Sequence, residues 1–315
     1  MTVAVRTEGM ACAFPIGKRL FGPPRGVLQA VHPTDLEVRR GETLGIVGES
    51  GCGKSTLARM LVGLQPPSAG RIEIEGAALN RADPAAFGRR IQYVFQDPVS
   101  SLNPRKTIRQ ILEVPLIRLH GMGRAAREAR IAEIFAAVNL RPEFLSRYPH
   151  EFSGGQAQRI GIARALAAAA RILILDEPVS ALDVSVQAQV LNLLAELKAE
   201  FGLTYLFISH DLAVVEAVSD RIAVLYFGAV VEEGPAERVF STPRHPYTQL
   251  LAESAPQVGR PLGGGAAGEL PDPLNPPPGC AFAGRCPRAT ALCRAERPAL
   301  RPIEGEQRAA CHHPL

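Results

Sequence analysis

The chain lacks any run of about 20 uninterrupted apolar residues, the length a helix needs to cross a bilayer. Its longest apolar stretch, Ile160 to Leu175, is broken by Arg164 and Arg171. The first residues include Arg6 and Glu8 and hold no apolar leader core, so no signal peptide is expected, and a cytoplasmic location follows unless partners hold the chain at a membrane. A block of Lys and Arg is missing too. The net charge of +4 is spread over 315 residues and reads as a solvated surface, not a nucleic-acid footprint. There is no long coiled coil, and the short CxxC knuckles of a zinc ribbon are absent. With 46% hydrophobic and 21% charged residues, what is left is an ordinary globular composition, long enough for one large core or one core plus an appendage.

The most informative segment is Gly48-Glu49-Ser50-Gly51-Cys52-Gly53-Lys54-Ser55, which fits GxxxxGK[ST]. It stands between an apolar run, Thr43 to Val47, and a helical pattern starting near Ser55. Glycines there let the backbone curl so that successive N–H groups face phosphate oxygens, while Lys54 adds a point charge and Ser55 a hydroxyl for Mg²⁺. Nucleotide contacts are expected along Gly48 to Ser55 and at Thr56.

Around this loop, Glu37-Val38 and Leu44 to Val47 read as strands, and His32-Pro33-Thr34 as an interruption of the strand before the loop. Leu57, Leu61 and Leu64 repeat at helical spacing, with Pro66-Pro67 as the expected stop. Arg71 to Glu75 alternates like an edge strand, and Ile91 to Phe95 is another short strand. From about 97 to 165 the pattern turns helical, with Ile131, Ile134, Phe135 and Val138 on one face of Arg124 to Asn139. Apolar strands return at Ile172 to Leu175, Thr204 to Ile208 and Ile222 to Tyr226, with a strong helix from Val186 to Phe201. Strands of this kind separated by helices belong to a parallel sheet covered on both faces. Beyond about 235, Gly263-Gly264-Gly265 and Pro276-Pro277-Pro278 suggest a turn-rich, weakly structured tail.

Two carboxylates, Asp176 and Glu177, close the apolar run Leu173-Ile174-Leu175. Beside a phosphate loop, the first suits Mg²⁺ and the second suits orienting and deprotonating a water. Ser153-Gly154-Gly155-Gln156, ahead of another helix, is a second phosphate grip far from the first in sequence, as in sites completed between two subunits. With these motifs the chain resembles the ATP-binding subunit of an ABC transporter, in which SGGQ is the signature.

That resemblance implies a P-loop NTPase (RecA-like) α/β fold with an inserted helical subdomain, an antiparallel β edge and a C-terminal Cys-rich extension. The implied domains are 1–96 with 166–235 for the ATP-binding core, 97–165 for the signature subdomain and 236–315 for the extension. It implies ATP and Mg²⁺ as cofactors, with Ser55, Gln96 and Asp176 around the metal and Glu177, Gln96 and His210 as the catalytic set. Asp183, in Ser180-Ala181-Leu182-Asp183, falls at the seam between paired subunits, and Phe14 is the match to the aromatic that stacks on adenine. Phe95 to Pro98, Ser101 to Arg105, Arg147 to Phe152, Pro178 to Ser185 and His245 to Thr248 are similar to the oligopeptide/dipeptide importer branch, and to its F-type ATPase subunit. Ala157 departs from the branch, where a longer polar residue is common. The partners implied are two membrane permease subunits, a sister ATPase or a second copy of this chain, and an extracytoplasmic peptide-binding protein; no nucleic acid is implied. The expected place is the cytoplasmic face of the inner membrane, and cargo choice lies in the other subunits.

Cys280, Cys286, Cys293 and Cys311 are separated by five, six and seventeen intervening residues. Four thiolates close a Zn²⁺ site or hold a [4Fe–4S] cluster. The wide spacing favours the cluster, as does the resemblance, with zinc as the alternative, unmetallated thiols as a third state, and His312 or His313 as substitutes for Cys311. Rival functions are a nucleic-acid-associated ABC ATPase with a zinc module, and an ATP-binding protein that signals without transport.

Overall fold

The computed structural model describes residues 2–17, 26–254 and 270–315. Two long strands open the chain, β1 (Val3–Ile16) and β2 (Gly26–Arg39), followed by β3 (Thr43–Val47), α1 (Lys54–Leu61), β4 (Ala69–Ile74), β5 (Ala77–Ala78), α2 (Pro84–Gly88) and β6 (Ile91–Val94). Three helices come next, α3 (Ile108–Arg118), α4 (Arg124–Ala137) and α5 (Gly154–Ala167). Strands and helices then alternate through β7 (Ile172–Asp176), α6 (Val184–Phe201), β8 (Thr204–Ile208), α7 (Leu212–Val218), β9 (Arg221–Tyr226) and β10 (Ala229–Pro235). The end holds α8 (Ala236–Ser241), α9 (Pro246–Ser254), α10 (Ala291–Ala295), β11 (Arg301–Glu304) and β12 (Gln307–Ala309).

Contacts gather the chain into two compact units. The first takes the described residues of Met1–Val5, Val38–Glu42 and Glu73–Phe207. Within it β6 runs parallel to β7, pairing Ile91 with Ile172 through Val94 with Leu175. Every residue of β7 is buried, as expected for a strand covered on both faces. Helices α3, α4 and α5 pack on one another. On α4 the buried residues are Ile131, Ile134 and Phe135, with Val138 buried just beyond it, which is the face the sequence periodicity marks. Thr107 caps α3 reciprocally with Gln110, the device that fixes where the helix begins. Gly155 lets α5 approach α6 closely, because a Cβ there would lie 2.5 Å from Val186 Cγ1.

The second unit takes Arg6–Glu37, Thr43–Ile72 and the described residues of Ile208–Leu315. Here β3 and β9 run parallel, from Leu44 opposite Arg221 to Val47 opposite Val224. The antiparallel strand β10 continues from β9, then β12 and β11. Helix α7 covers β3 at Gly45, where a Cβ would stand 2.4 Å from Val215 Cγ1.

Four expectations are corrected. His32-Pro33-Thr34 does not interrupt β2, which passes through it unbroken. Strand β2 lies at the edge of its sheet, where a proline costs no ladder hydrogen bond, and the His32 N–H finds the Gly228 carbonyl at 2.7 Å. Strand β4, which covers Arg71 to Ile74, is not an edge, since it lies between β1 and the two-residue β5. Helix α1 ends at Leu61, ahead of Pro66-Pro67, and the chain turns at Gly63 with φ of +70°. The tail is not weakly structured where it is described, since it contributes helices and the strands β11 and β12. Gly263 to Gly265 lie outside the described residues.

Candidate functional site: a phosphate loop, a carboxylate pair and a cysteine cavity

The second unit carries the phosphate loop. Buried β3 delivers the chain to Gly48, where a side chain is excluded because a Cβ would lie 2.1 Å from the Leu225 carbonyl oxygen. Gly53 begins α1 with φ of +106°, and a Cβ there would meet the Ala30 oxygen at 2.4 Å. Both are positions only glycine can fill. Lys54 is buried, and its ammonium donates to the carbonyls of Gly48 at 2.7 Å and Glu49 at 2.9 Å. Its charge is thereby folded over the loop, the place where a phosphate is received. Cys52 is buried beneath, and desolvation pushes its thiol up, so it stays a neutral packing group. Ser55 and Thr56, half-buried, begin α1.

His210 follows β8 and is exposed, between buried Ser209 and Asp211, whose carboxylate caps α7 through the N–H groups of Ala213 at 3.0 Å and Val214 at 3.2 Å. Phe14 is half-buried near the end of β1.

The first unit carries the carboxylates. Asp176, last in β7, is buried and accepts a 2.5 Å hydrogen bond from the Tyr93 hydroxyl of β6. Glu177 turns the other way. Its φ of +48° is the left-handed region, uncommon for a residue with a side chain, and its carboxylate accepts from the Gln96 amide at 2.9 Å. The carbonyl of Glu177 accepts from the Ser180 N–H at 3.3 Å and hydroxyl at 3.2 Å, which fixes the turn. Adjacent carboxylates are therefore aimed at different groups, one inward and one toward the exposed Gln96.

The signature is in the same unit. Ser153 caps α5, its own N–H donating to the Gln156 side chain at 3.1 Å. Ser153 and Gly154 are exposed at a helix N-terminus, the place where backbone donors attract an anion. A Cβ on Gly154 would stand 3.2 Å from Leu182 Cδ2, so the signature adjoins the turn leading to Asp183, the residue just before α6. Ala157 is fully buried.

The four tail cysteines are free thiols that line one small cavity of about 20 Å³. Burial and the neighbouring thiols push Cys280 and Cys311 up. His245 lines the same cavity; its Nδ1 accepts from the Tyr247 N–H at 3.0 Å and its buried Nε2 has no partner. His312 bonds the Glu296 carbonyl and His313 the Thr290 hydroxyl, both at 3.0 Å. Among the described residues, no group of three or more His, Cys, Asp or Glu is arranged to hold a single metal ion.

Three contacts that sequence reasoning did not find emerge here: Tyr93 on Asp176, Tyr247, known from the sequence only as part of a branch motif, whose hydroxyl accepts from the Glu49 N–H at 2.9 Å, and Arg285, paired with the Glu49 carboxylate. Their partners lie 83, 198 and 236 residues away in sequence, beyond the reach of any local pattern.

Two family patterns match the chain: ABC transporter over residues 31–180, and the C-terminal region of oligopeptide/dipeptide transporters over 231–293. The chain is 47% identical to the dipeptide transport ATP-binding protein DppF of Escherichia coli, covering 93% of this chain and 89% of that one. It is also 47% identical to the oligopeptide transport ATP-binding protein AppF of Bacillus subtilis, covering 95% and 94%. Among solved structures it is similar to the ATP-binding cassette MJ0796, in a dimeric post-hydrolysis state bound to ADP and Pi, with 29% identity, a TM-score of 0.66, and coverage of 74% of this chain and 98% of that one.

Proposed function

Because the chain belongs to the ATP-binding subunits of ABC transporters, in the oligopeptide/dipeptide branch, we propose that it hydrolyses ATP to power import of short peptides. The observation that carries this reading is near full-length identity of 47% to peptide-transport ATP-binding proteins, in a chain whose phosphate loop keeps its glycine cradle and its folded-over lysine. The relatives favour import over the nucleic-acid reading.

The family resemblance implies the roles of the side chains. Backbone N–H groups of Gly48 to Ser55 and the Lys54 ammonium receive the phosphates, with Thr56 beside them. Ser55, Gln96 and Asp176 offer hydroxyl, amide and carboxylate oxygens, the hard donor set that suits Mg²⁺, whose charge screens the phosphates when bound. Tyr93 donates to Asp176 and keeps that carboxylate oriented. Glu177, held by Gln96, takes a proton from the attacking water, and His210 contacts the γ-phosphate. Phe14 stacks on adenine. Ser153, Gly154, Gly155 and Gln156, with Asp183 near them, complete the nucleotide site of a neighbouring ATPase subunit, for which their exposed helix N-terminus is suited.

The working assembly contains two permeases, a sister ATPase and an extracytoplasmic peptide-binding protein. Among the described residues no helix is long and apolar enough to span a membrane, so attachment at the inner membrane runs through the permeases. We assign Cys280, Cys286, Cys293 and Cys311 to a [4Fe–4S] cluster. Support comes from their shared cavity and from His245, whose free Nε2 there is a donor suited to a sulfur acceptor, because Nδ1 is already an acceptor. The cluster has a structural role, tying the extension together.

Glu177→Gln in the purified transporter tests the catalytic reading. ATP binding is expected to persist, turnover at this subunit's site to vanish, and a closed dimer to accumulate. Near-normal turnover at that site removes Glu177 from the base role.

A further inference from the structure

The second residue of the phosphate loop is a glutamate. A carboxylate at the mouth of a loop that receives a polyanion opposes binding, since like charges a few ångströms apart repel strongly where water is partly excluded. In this chain the glutamate is not left bare. Arg285 meets it with both ends of its guanidinium, Nη1 to Oε2 and Nη2 to Oε1, each at 2.9 Å. The Arg285 side chain is 11% exposed and that of Glu49 27%, so the pair is shielded from most of the solvent. A planar fork of this kind is among the stronger charge-assisted contacts and is specific to arginine.

The surroundings hold the fork in place. The guanidinium carbon lies 5.9 Å from the Tyr226 ring centre and 5.7 Å from that of Phe282, with Nη1 also 3.4 Å from the Tyr226 hydroxyl. Tyr226, Tyr247 and Phe282 form one buried aromatic cluster, with ring centres 4.5 to 5.5 Å apart. The hydroxyl of Tyr247 accepts the Glu49 N–H at 2.9 Å, and Lys54 donates to the Glu49 carbonyl at the same distance. Every polar group of Glu49 is thus held, its carbonyl also accepting from the Cys52 N–H at 3.3 Å, and two of the four holders come from the C-terminal region: Tyr247 in α9 and Arg285 between Cys280 and Cys286.

We propose that Arg285 and Tyr247 are positioning residues for the phosphate loop: Arg285 neutralises Glu49 beside the incoming phosphates while Tyr247 pins its backbone, so the C-terminal extension sets this subunit's affinity for ATP. The proposal rests on ATP binding at this loop. It gives the extension a part in nucleotide binding, through the residue next to Cys286.

The sign of charge separates this from a merely structural ion pair. Arg285→Gln leaves the carboxylate uncompensated and should weaken Mg-ATP binding by about tenfold, or 1.4 kcal/mol. The effect should appear in KM rather than kcat. Glu49→Gln leaves the guanidinium facing the phosphates and should tighten binding. The double variant should recover most of the loss. A structural pair also recovers in the double variant, but gives losses of the same sign from both single changes, so the sign of the Glu49→Gln effect is what separates the two.

Nucleotide affinity is measured by titrating a fluorescent ATP analogue into the assembled transporter, with Lys54→Ala as the reference for lost binding. Unchanged affinity in Arg285→Gln, or weaker binding in Glu49→Gln, overturns the proposal. Should Arg285→Gln fail to fold, Glu49→Gln still decides by its sign. If Lys54→Ala binds as the native chain does, it is the assignment of ATP to this loop that fails, and the clamp falls with it.

Discussion

At the scale of single residues, the chemistry-bearing set divides by how each side chain is held. Lys54 and Ser153 are held by atoms within a few residues of themselves, as loop and cap motifs are, so sequence spacing alone exposes them. Asp176 differs, because its orientation depends on a tyrosine from the neighbouring strand β6. Tyr93→Phe keeps the ring but removes a hydrogen bond to a buried carboxylate. It is expected to cost about 1.5 to 3 kcal/mol, the range for a bond to a charged group, and to lower ATP turnover. Denaturant midpoints and ATPase rates of the two proteins check this; equal values would show that the hydroxyl does not hold Asp176. The same dependence on remote partners explains what the sequence hid. Tyr93 reads as one more apolar residue in a core strand, and Arg285 as one more surface charge among cysteines, until folding brings each to a carboxylate.

At the scale of elements, fully buried strands were the easiest to read. β3, β7 and β8 are unbroken apolar runs, and their limits in the structure lie within a residue of those the runs suggest. β1 was not legible, since Arg6, Thr7, Glu8 and Gly9 break its apolar pattern. β11 and β12 are short and polar, and exist because β10 offers them an edge, with Glu232 opposite Ala309. There the buried Glu232 carboxylate gathers the Gln307 amide at 2.7 Å and the N–H groups of Arg244 and His245 at 2.8 Å. The segment entering α9 also makes the fold sensitive to acid. Burial depresses His245 from its usual 6.5 to about 4. Its neutral form is therefore favoured by folding, and the stability this contributes is present above pH 6.5 and lost as pH falls toward 4. At 1.36 kcal/mol per pK unit the loss is on the order of 3 kcal/mol. Unfolding midpoints at pH 7, 5.5 and 4 should fall more steeply for the native chain than for His245→Gln; parallel slopes would contradict the assignment.

At the scale of the whole molecule, the chain is one part of a machine. Its phosphate loop, signature and carboxylates are each well formed, and the proposed mechanism gives the signature to a neighbouring subunit's nucleotide. That division of labour was readable in the sequence, because two phosphate grips so far apart exceed what one nucleotide needs from one chain. How the C-terminal region bears on the loop was not, since the contact joins residues 236 positions apart. The central claim is that ATP consumed here moves peptides. It is tested most directly by reconstituting the chain with its permeases and sister ATPase in vesicles and following uptake of a labelled dipeptide delivered by the binding protein. The account predicts ATP-dependent uptake that falls by at least about tenfold when this chain carries Lys54→Ala. Undiminished uptake with that variant, or steady ATP hydrolysis without any peptide movement, would contradict it.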